Sequence, residues 1–114
     1  MSILSASTLN GTGIKSPGGE SLGDIKDLMV DLHSGRVAYA VVEFGGLLGI
    51  GSKLFAVPLN AMQQDKANKC FVLDTTKEAL KTAEGFDKDH WPDFADRRWQ
   101  EAVHKHYNTP PYWQ

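Results

Sequence analysis

Apolar and polar positions alternate in short segments over the first two thirds of the chain, and the last third changes to a helical pattern. Alternation with a period of two, bounded by turn-forming glycine and proline, predicts half-buried β-strands. The predicted strands lie around Ile14 and over residues 22–32, 36–44, 54–57 and 70–74. Five or six short strands followed by helices favour a mainly β fold in the form of a small barrel.

The second predicted strand, residues 22–32, changes phase partway along its length. Ile25 and Leu28 are three residues apart, whereas the apolar positions after Leu28 keep a strict period of two. A strand whose inward face slips by one residue predicts a β-bulge, here near Lys26–Asp27. Bulges sharpen the bending of a strand, which is what a small closed barrel requires.

Turn and strand signals continue through the middle of the chain. His33–Gly35 predicts a short hairpin turn whose glycine takes a positive φ. The strand that follows is apolar on both faces over residues 37–42, which predicts a central rather than an edge strand. The strand Leu54–Val57 ends at Pro58, which has no backbone N–H to donate to a ladder.

Two short helical segments are predicted after this strand. Asn60–Gln64 is expected to form a helical turn before the strand at residues 70–74. Thr75 and Glu78 have the spacing of a capping box, in which the threonine caps the helix and the glutamate reaches back. The pattern therefore predicts a short helix from Thr76 to about Ala83.

The last predicted helix begins near Trp91–Pro92, since proline suits the first helical turn, and it ends before Thr109–Pro111. Asp93 and Asp96 complement its amino end, and the basic residues 104–106 complement its carboxyl end. One stripe at helical spacing is predicted to pack on the barrel. It consists of Ala95, Trp99, Ala102, Val103 and His106.

Length and charge narrow the class of protein. The chain has 114 residues and a net charge of −2, which is the size of one domain and gives no electrostatic support for binding nucleic acid. Its single cysteine, Cys70, lies in an apolar run and is expected to be a small core residue. No secretory signal is visible and no apolar run approaches the length of a membrane span, so the expected compartment is a reducing cytoplasm.

Three segments are distinctive in their order and spacing. They are residues 19–31, the hairpin at residues 34–42, and the glycine-rich segment 44–53 with Ala56–Leu59 behind it. Together they resemble the signature of the PRC-barrel family. The aromatic tail is similar to that of stand-alone bacterial members. The resemblance implies a six-stranded β-barrel (residues 1–83), with residues 84–114 as a helical and aromatic extension of the same domain.

The resemblance also bears on function. The family includes the cytoplasmic part of the photosynthetic reaction-centre H subunit and a ribosome-maturation factor that binds a small-subunit protein, and both roles are protein docking. We expect neither the membrane helix of the first nor the amino-terminal domain of the second in this chain, so neither specific role is carried over. A non-catalytic docking and assembly module is what the family implies.

The glycine-rich segment suggests where a partner is bound. Its glycines occur in the reverse of the dinucleotide-binding order and precede a strand rather than a helix, which disfavours a phosphate site. Leu47, Leu48 and Ile50 lie at the tip of a predicted hairpin, where exposed aliphatic side chains form an adhesive patch. Together with Tyr112 and Trp113 they form the predicted interface of a homodimer or partner complex. The alternative is that this loop folds over one end of the barrel and plugs it.

The sequence gives only weak signals for a catalytic site or a metal site. The acidic residues between Glu20 and Asp31 are spread along a strand, so a solvated face is favoured over a cation site. His104 and His106 are two apart on a helix and point to different sides. No nucleophile, base and orienting group occur at a recognisable spacing around Cys70 or elsewhere. No metal, cofactor or enzymatic activity is therefore predicted.

A second function stays open beside docking. Most of the aromatic residues lie in the last third of the chain, where packing of the helix on the barrel is their simplest role. The alternative is a small-molecule or cofactor pocket between the barrel and the last helix, lined by Tyr39, Trp91 and Trp99.

Overall fold

A computed structural model describes residues 3–44, 53–76, 79, 85–87, 89–111 and 113 of the chain. Six strands lie within these ranges: β1 (Gly13–Lys15), β2 (Ser21–Asp31), β3 (Arg36–Glu43), β4 (Leu54–Pro58), β5 (Met62–Asp65) and β6 (Cys70–Leu73). The helices are α1 (Ala6–Leu9), α2 (Arg97–His106) and a single 3-10 turn (Leu59–Ala61).

The strands form one curled sheet in the order β4-β3-β2-β1-β6-β5. Neighbouring strands are antiparallel except for the pair β1 and β6, which is parallel. The two edge strands, β4 and β5, are consecutive in the chain and are joined by the 3-10 turn. The predicted six-stranded, mainly β barrel is confirmed, in the form of an open half-barrel with α2 packed on it.

The phase change in β2 is a bulge, as the spacing of Ile25 and Leu28 predicted. The register of β2 on β3 shifts between Ile25 and Asp27, and shifts again between Met29 and Val30. Each shift adds local twist and bend to the strand. Eleven residues of β2 can therefore follow the curl of the sheet while keeping their ladder with β3.

The turn between β2 and β3 is built on Asp31. Its carboxylate accepts hydrogen bonds from the His33 amide and the Ser34 hydroxyl, both at 3.0 Å. These bonds, that from Ser34 foremost, lower the pKa of Asp31. Gly35 follows with φ +74°, the left-handed conformation that glycine adopts without steric cost. The predicted positive φ is confirmed.

The core lies on the concave side of the sheet and is shared by all six strands. β3 is flanked by β2 and β4, so the prediction of a central strand is confirmed. Cys70 is buried at 5% exposure, in agreement with its expected packing role. The ten buried residues of the main cluster are Ile14, Leu22, Ile25, Ala40, Val42, Phe44, Phe55, Val57, Met62 and Leu73.

The helical turn predicted at Asn60–Gln64 is wrong over most of its length. Only residues 59–61 are helical, and residues 62–65 form β5, which pairs with β6 in the register Met62↔Leu73. Met62 is buried while Gln63 and Gln64 are exposed. Residues 62–65 contain one apolar side chain, that of Met62, so their strand conformation depends on pairing with β6 and not on their own sequence pattern.

The last helix begins six residues later than predicted. Its amino cap is Asp96, whose carboxylate accepts the Arg98 amide hydrogen at 2.9 Å. The predicted start at Trp91–Pro92 is non-helical, because Asp93 binds the Ala95 amide in a turn and lets Phe94 pack inward. The carboxyl end agrees with the prediction, since Asn108 has φ 52° before Thr109.

The buried stripe of α2 also differs from the predicted one. Ala102 and His106 are exposed, whereas Gln100 and His104 are buried beside the half-buried Trp99 and Val103. The buried stripe thus includes two polar residues. Gln100 Nε2 donates to the Phe94 carbonyl at 2.7 Å, which offsets the cost of burying the amide.

Most of the helix predicted from Thr76 to Ala83 lies outside the described residues, as does Glu78 of the predicted capping box. The Thr76 hydroxyl oxygen accepts the Ala79 amide hydrogen at 3.1 Å, which is a capping contact. Within the described part of the chain, no helix has the length and apolar character to cross a membrane.

Candidate functional site

The segment that joins β3 to β4 is anchored at both of its ends. Glu43 pairs with Leu54 in the ladder, and the Phe44 amide donates to the Lys53 carbonyl at 3.2 Å. Leu54 also exchanges two backbone hydrogen bonds with Phe86, at 2.8 and 2.9 Å. The predicted interface residues Leu47, Leu48 and Ile50 belong to this segment and lie outside the described residues. Its base is therefore a paired, partly buried ladder.

The convex face of β3 carries an aromatic cluster beneath α2. Tyr39 is 1% exposed, and its ring packs edge-on against Trp99 with centroids 5.2 Å apart. Phe94 completes a triangle with these two rings, at 4.9 Å from Trp99 and 6.1 Å from Tyr39. The cluster holds α2 and the segment before it against the sheet.

Trp91 lies at the edge of this cluster and is 41% exposed. It packs on Phe86 and Phe94, with centroids 5.3 and 6.0 Å away. Of the three residues predicted to line a ligand pocket, Tyr39 and Trp99 thus touch each other, and Trp91 joins them through Phe94.

A cleft of about 400 Å³ lies beside the cluster, between the β2–β3 hairpin and the start of α2. Tyr39 and Phe94 are among its lining residues, whereas Trp91 and Trp99 are not. Two aliphatic side chains lie on its rim, Val30 of β2 and Leu32 of the turn. They are 50% and 91% exposed.

A buried polar pair lies next to the aromatic cluster. The Tyr39 hydroxyl and His104 Nε2 share a hydrogen bond of 3.0 Å, and the His104 side chain is 2% exposed. Burial lowers the pKa of His104, and the nearby backbone of Pro110 opposes this in part. The imidazole is therefore neutral at pH 7 and links β3, α2 and the tail.

The carboxyl-terminal tail folds back on the domain. Trp113 packs edge-on against His104 with centroids 5.4 Å apart, and the Arg97 guanidinium lies 3.9 Å from the centroid of its indole. The Asn60 side chain receives a hydrogen bond from Thr109 and donates one to the Pro110 carbonyl. Trp113, a predicted interface residue, is therefore half-buried against its own helix. Tyr112, its predicted companion, lies outside the described residues.

The histidine and acidic side chains that could serve in metal binding or acid–base chemistry lie apart from one another in the described part of the chain. Among the described residues, no cluster of three or more histidine, cysteine, aspartate and glutamate side chains could hold a metal ion. His90 and Asp87 form an exposed pair at 2.7 Å, and the hydrogen bond from His90 lowers the pKa of Asp87. His104 is buried and His106 is exposed, so the two lie on different sides of α2, as their spacing predicted, but His106 is not on the packed side where the predicted stripe had it.

Sequence reasoning did not identify the pair of Tyr39 and His104, nor the buried Gln100. A signal for them was present, because Gln100 and His104 are four apart and adjoin Trp99 and Val103 on one helical face. Polar residues inside such a stripe indicate specific hydrogen bonds to the neighbouring element.

Comparison with known families gives one clear result. The model of the PRC-barrel domain matches residues 1–80, which is more than half of the chain. The matched range includes all six strands, the 3-10 turn and α1, and it ends before Phe86 and α2. No curated protein matches the chain.

Proposed function

The chain belongs to the PRC-barrel domain family, and from this premise we propose that it is a non-catalytic docking and assembly module that acts as a homodimer. The family is in general one of interaction and assembly domains without catalytic activity. The observation that carries the proposal is the match over residues 1–80 together with the curled six-stranded sheet.

The proposed interface is the segment between β3 and β4, with Leu47, Leu48 and Ile50 as its apolar anchors. The ladder at Glu43↔Leu54 supports this assignment, because it fixes the two ends of the segment. Ends that are already held in place need no ordering when a partner binds, so they add no entropic cost to association. Each aliphatic side chain would contribute about 1.5–3 kcal/mol by its burial before the costs of association.

The tail completes the proposed interface through Tyr112 and Trp113. Residues 84–114 are proposed to be part of the same domain, since Trp99 of α2 packs on Tyr39 of β3. We further propose a bacterial cytoplasmic setting, where the free thiol of buried Cys70 stays reduced.

Affinity capture from native lysate tests this function, with soluble and membrane fractions treated separately. Three baits are compared: the wild type, Leu47→Asp/Leu48→Asp, and Leu32→Asp as a matched control at an exposed leucine elsewhere. We expect the wild type and the control to capture the same protein and the double variant to lose it while keeping its circular dichroism spectrum. Equal capture by all three baits would show that the interface lies outside this segment.

A second candidate function is a small-molecule site between the barrel and α2. The observation in its favour is the cleft of about 400 Å³ that reaches Tyr39 and Phe94. Native mass spectrometry of protein purified under mild conditions discriminates the two functions. A retained adduct that is lost on Tyr39→Ala would support the ligand site, and the bare mass of the chain or its dimer would argue against it.

A further inference from the structure

The carboxyl-terminal tail, residues 109–114, leaves α2 through a defined cap. The Thr109 amide donates to the His104 carbonyl at 3.0 Å, and the Asn108 amide donates to the Lys105 carbonyl at 3.1 Å. Asn108 has φ 52°, the left-handed conformation that a Schellman motif requires. Because this one residue sets the direction of the tail, a change in its backbone dihedrals is enough to turn the tail away from its own domain.

The tail is held by side chains of two elements. We define the tail seat as Asn60 of the 3-10 turn with Arg97 and His104 of α2. The Asn60 side chain donates to the Pro110 carbonyl at 3.4 Å and accepts from the Thr109 hydroxyl at 3.2 Å. These bonds join positions 50 and 49 residues apart in the chain, so the tail meets Asn60 as a separate peptide would.

Trp113 is the anchor of the tail. The Arg97 guanidinium lies 3.9 Å from the centroid of its indole, and the His104 ring is T-shaped to the indole with centroids 5.4 Å apart. A cation over an indole face, with a second ring beside it, favours an aromatic side chain at this place. His104 is 2% exposed, so the seat has a buried and well-packed base.

The two prolines stiffen the tail ahead of this anchor. Consecutive prolines restrict φ and favour an extended polyproline II backbone. Pro110 and Pro111 line a groove of about 760 Å³ together with Val37 and Leu59. Stiff proline-rich segments are common peptide ligands, because little backbone entropy is lost when they bind. The tail therefore has the chemistry of a peptide ligand, with a proline pair, one further residue and a tryptophan.

The position of Trp113 bears on the proposed dimer. Trp113 is assigned to the interface between copies, yet it packs on Arg97 and His104 of α2. Both placements hold together when the α2 that receives the indole belongs to the second copy. Exchange of an identical segment forms the same contacts in either arrangement, so it is a low-cost route to a dimer.

We propose that the tail seat is a peptide-binding site whose ligand is the tail of a second copy, so that two copies exchange residues 109–114. The inference rests on the proposed homodimer and adds the segment that each copy supplies to the other. Trp113 of one copy then packs on Arg97 and His104 of the other. The contacts seen within one chain identify the ligand as a proline pair followed by tryptophan.

Isotope-filtered NOE spectra of the wild type test the exchange directly. Labelled and unlabelled protein are mixed in equal amounts in urea and refolded together, so that contacts between copies are detected separately. We expect NOEs from Trp113 of one copy to His104 of the other, whereas Tyr39 and Trp99, which pack inside the domain, should give NOEs within a copy only. A dimer whose Trp113–His104 NOEs arise only within a copy would overturn the exchange and leave the proposed function standing. A protein that is monomeric at every concentration would overturn both.

A synthetic peptide tests the seat independently of the dimer. The host is full-length Trp113→Ala, whose own tail lacks its anchor, and the ligand is a peptide of residues 109–114, followed by amide proton–nitrogen correlation spectra. We expect saturable shifts centred on Arg97 and His104, with a dissociation constant of about 1 mM or below, since a tethered tail has an effective concentration in that range. The Trp113→Ala peptide should bind at least about tenfold more weakly. Equal binding of the two peptides, or shifts centred on another surface, would contradict the site.

Two neighbouring arginines of α2 show whether the contact with tryptophan is specific. Arg97 and Arg98 are both exposed, and Arg97 lies over the Trp113 indole. In the Trp113→Ala host, Arg97→Gln should weaken binding of the peptide about three- to tenfold, because a cation–π contact is lost. Arg98→Gln is the matched control and should change the affinity less than about twofold. Equal effects of the two substitutions would show that general charge attracts the peptide and would contradict a seat for tryptophan.

Discussion

The hydrogen bond between Tyr39 and His104 is the contact that we expect to matter most for the docking of α2. Tyr39→Phe removes the hydroxyl and leaves the ring, so the contacts with Trp99 and Phe94 are kept. Both partners are buried at 1–2% exposure, so solvent does not replace the lost bond. Leaving a buried polar group with one bond fewer costs about 1–3 kcal/mol of the free energy of unfolding.

Urea unfolding followed by tryptophan fluorescence measures this loss, since Trp99 lies against the altered ring. We expect Tyr39→Phe to lower the free energy of unfolding by about 1–2 kcal/mol and the Tm by roughly 4 °C for each kcal/mol. Tyr107→Phe is the matched control. Burial raises the pKa of Tyr107, and its hydroxyl has no hydrogen-bond partner within the described part of the chain. Its removal should change stability by less than about 0.5 kcal/mol.

A double-mutant cycle with His104→Gln isolates the pair from the rest of the cluster. Two directly bonded residues should show a coupling free energy of about 0.5–2 kcal/mol. Equal stability of Tyr39→Phe and Tyr107→Phe, or additive effects in the cycle, would refute the role given to this hydrogen bond.

Two further predictions concern a glycine and a titration. Gly23→Ala should destabilise the fold by about 1–3 kcal/mol in chemical denaturation, because an added Cβ would collide with the Glu43 carbonyl oxygen; Gly13→Ala, whose Cβ would have room, is the control. The buried imidazole of His104 has a lowered pKa, so its contribution to stability is complete above pH 6.5, the unfolded value, and is lost as pH falls towards the folded value. Unfolding between pH 7.5 and 5 should therefore show a slope that His104→Gln removes and exposed His106→Gln keeps. An unchanged slope in His104→Gln would contradict the assignment of this pH dependence to His104.

The sheet was predictable because its signals are local. The spacing of Ile25 and Leu28 located the bulge of β2, and the apolar faces of residues 37–42 placed β3 inside the sheet. The position of Gly35 in a hairpin turn predicted its positive φ. In each case the chemistry of a few neighbouring residues determines the conformation.

The elements that sequence reasoning missed depend on distant partners. Residues 62–65 contain one apolar side chain, and only the ladder with β6 makes them a strand. Asp93 and Asp96 are equally good caps by residue type, and the packing of Phe94 under α2 decides between them. His104 is polar, so a stripe drawn through apolar positions omits it, although it lies four residues from Gln100 on the same helical face.

The candidate site was predictable to a smaller extent than the fold. Tyr39 and Trp99 were chosen from the aromatic content of the chain, and the structure brings them into contact. Trp113 packs on α2, which spacing alone did not indicate. The assignment of Leu47, Leu48 and Ile50 to an interface stays a prediction, and it requires an experiment on association.

Sedimentation velocity of the purified protein tests the central claim, association through the β3–β4 connection, most directly. The chain has a mass of 12.6 kDa, so a dimer has twice that mass. We predict that the wild type and Leu32→Asp sediment as dimers and that Leu47→Asp/Leu48→Asp sediments as a folded monomer. A double variant that remains dimeric, or a wild type that is monomeric at every concentration, would contradict the claim.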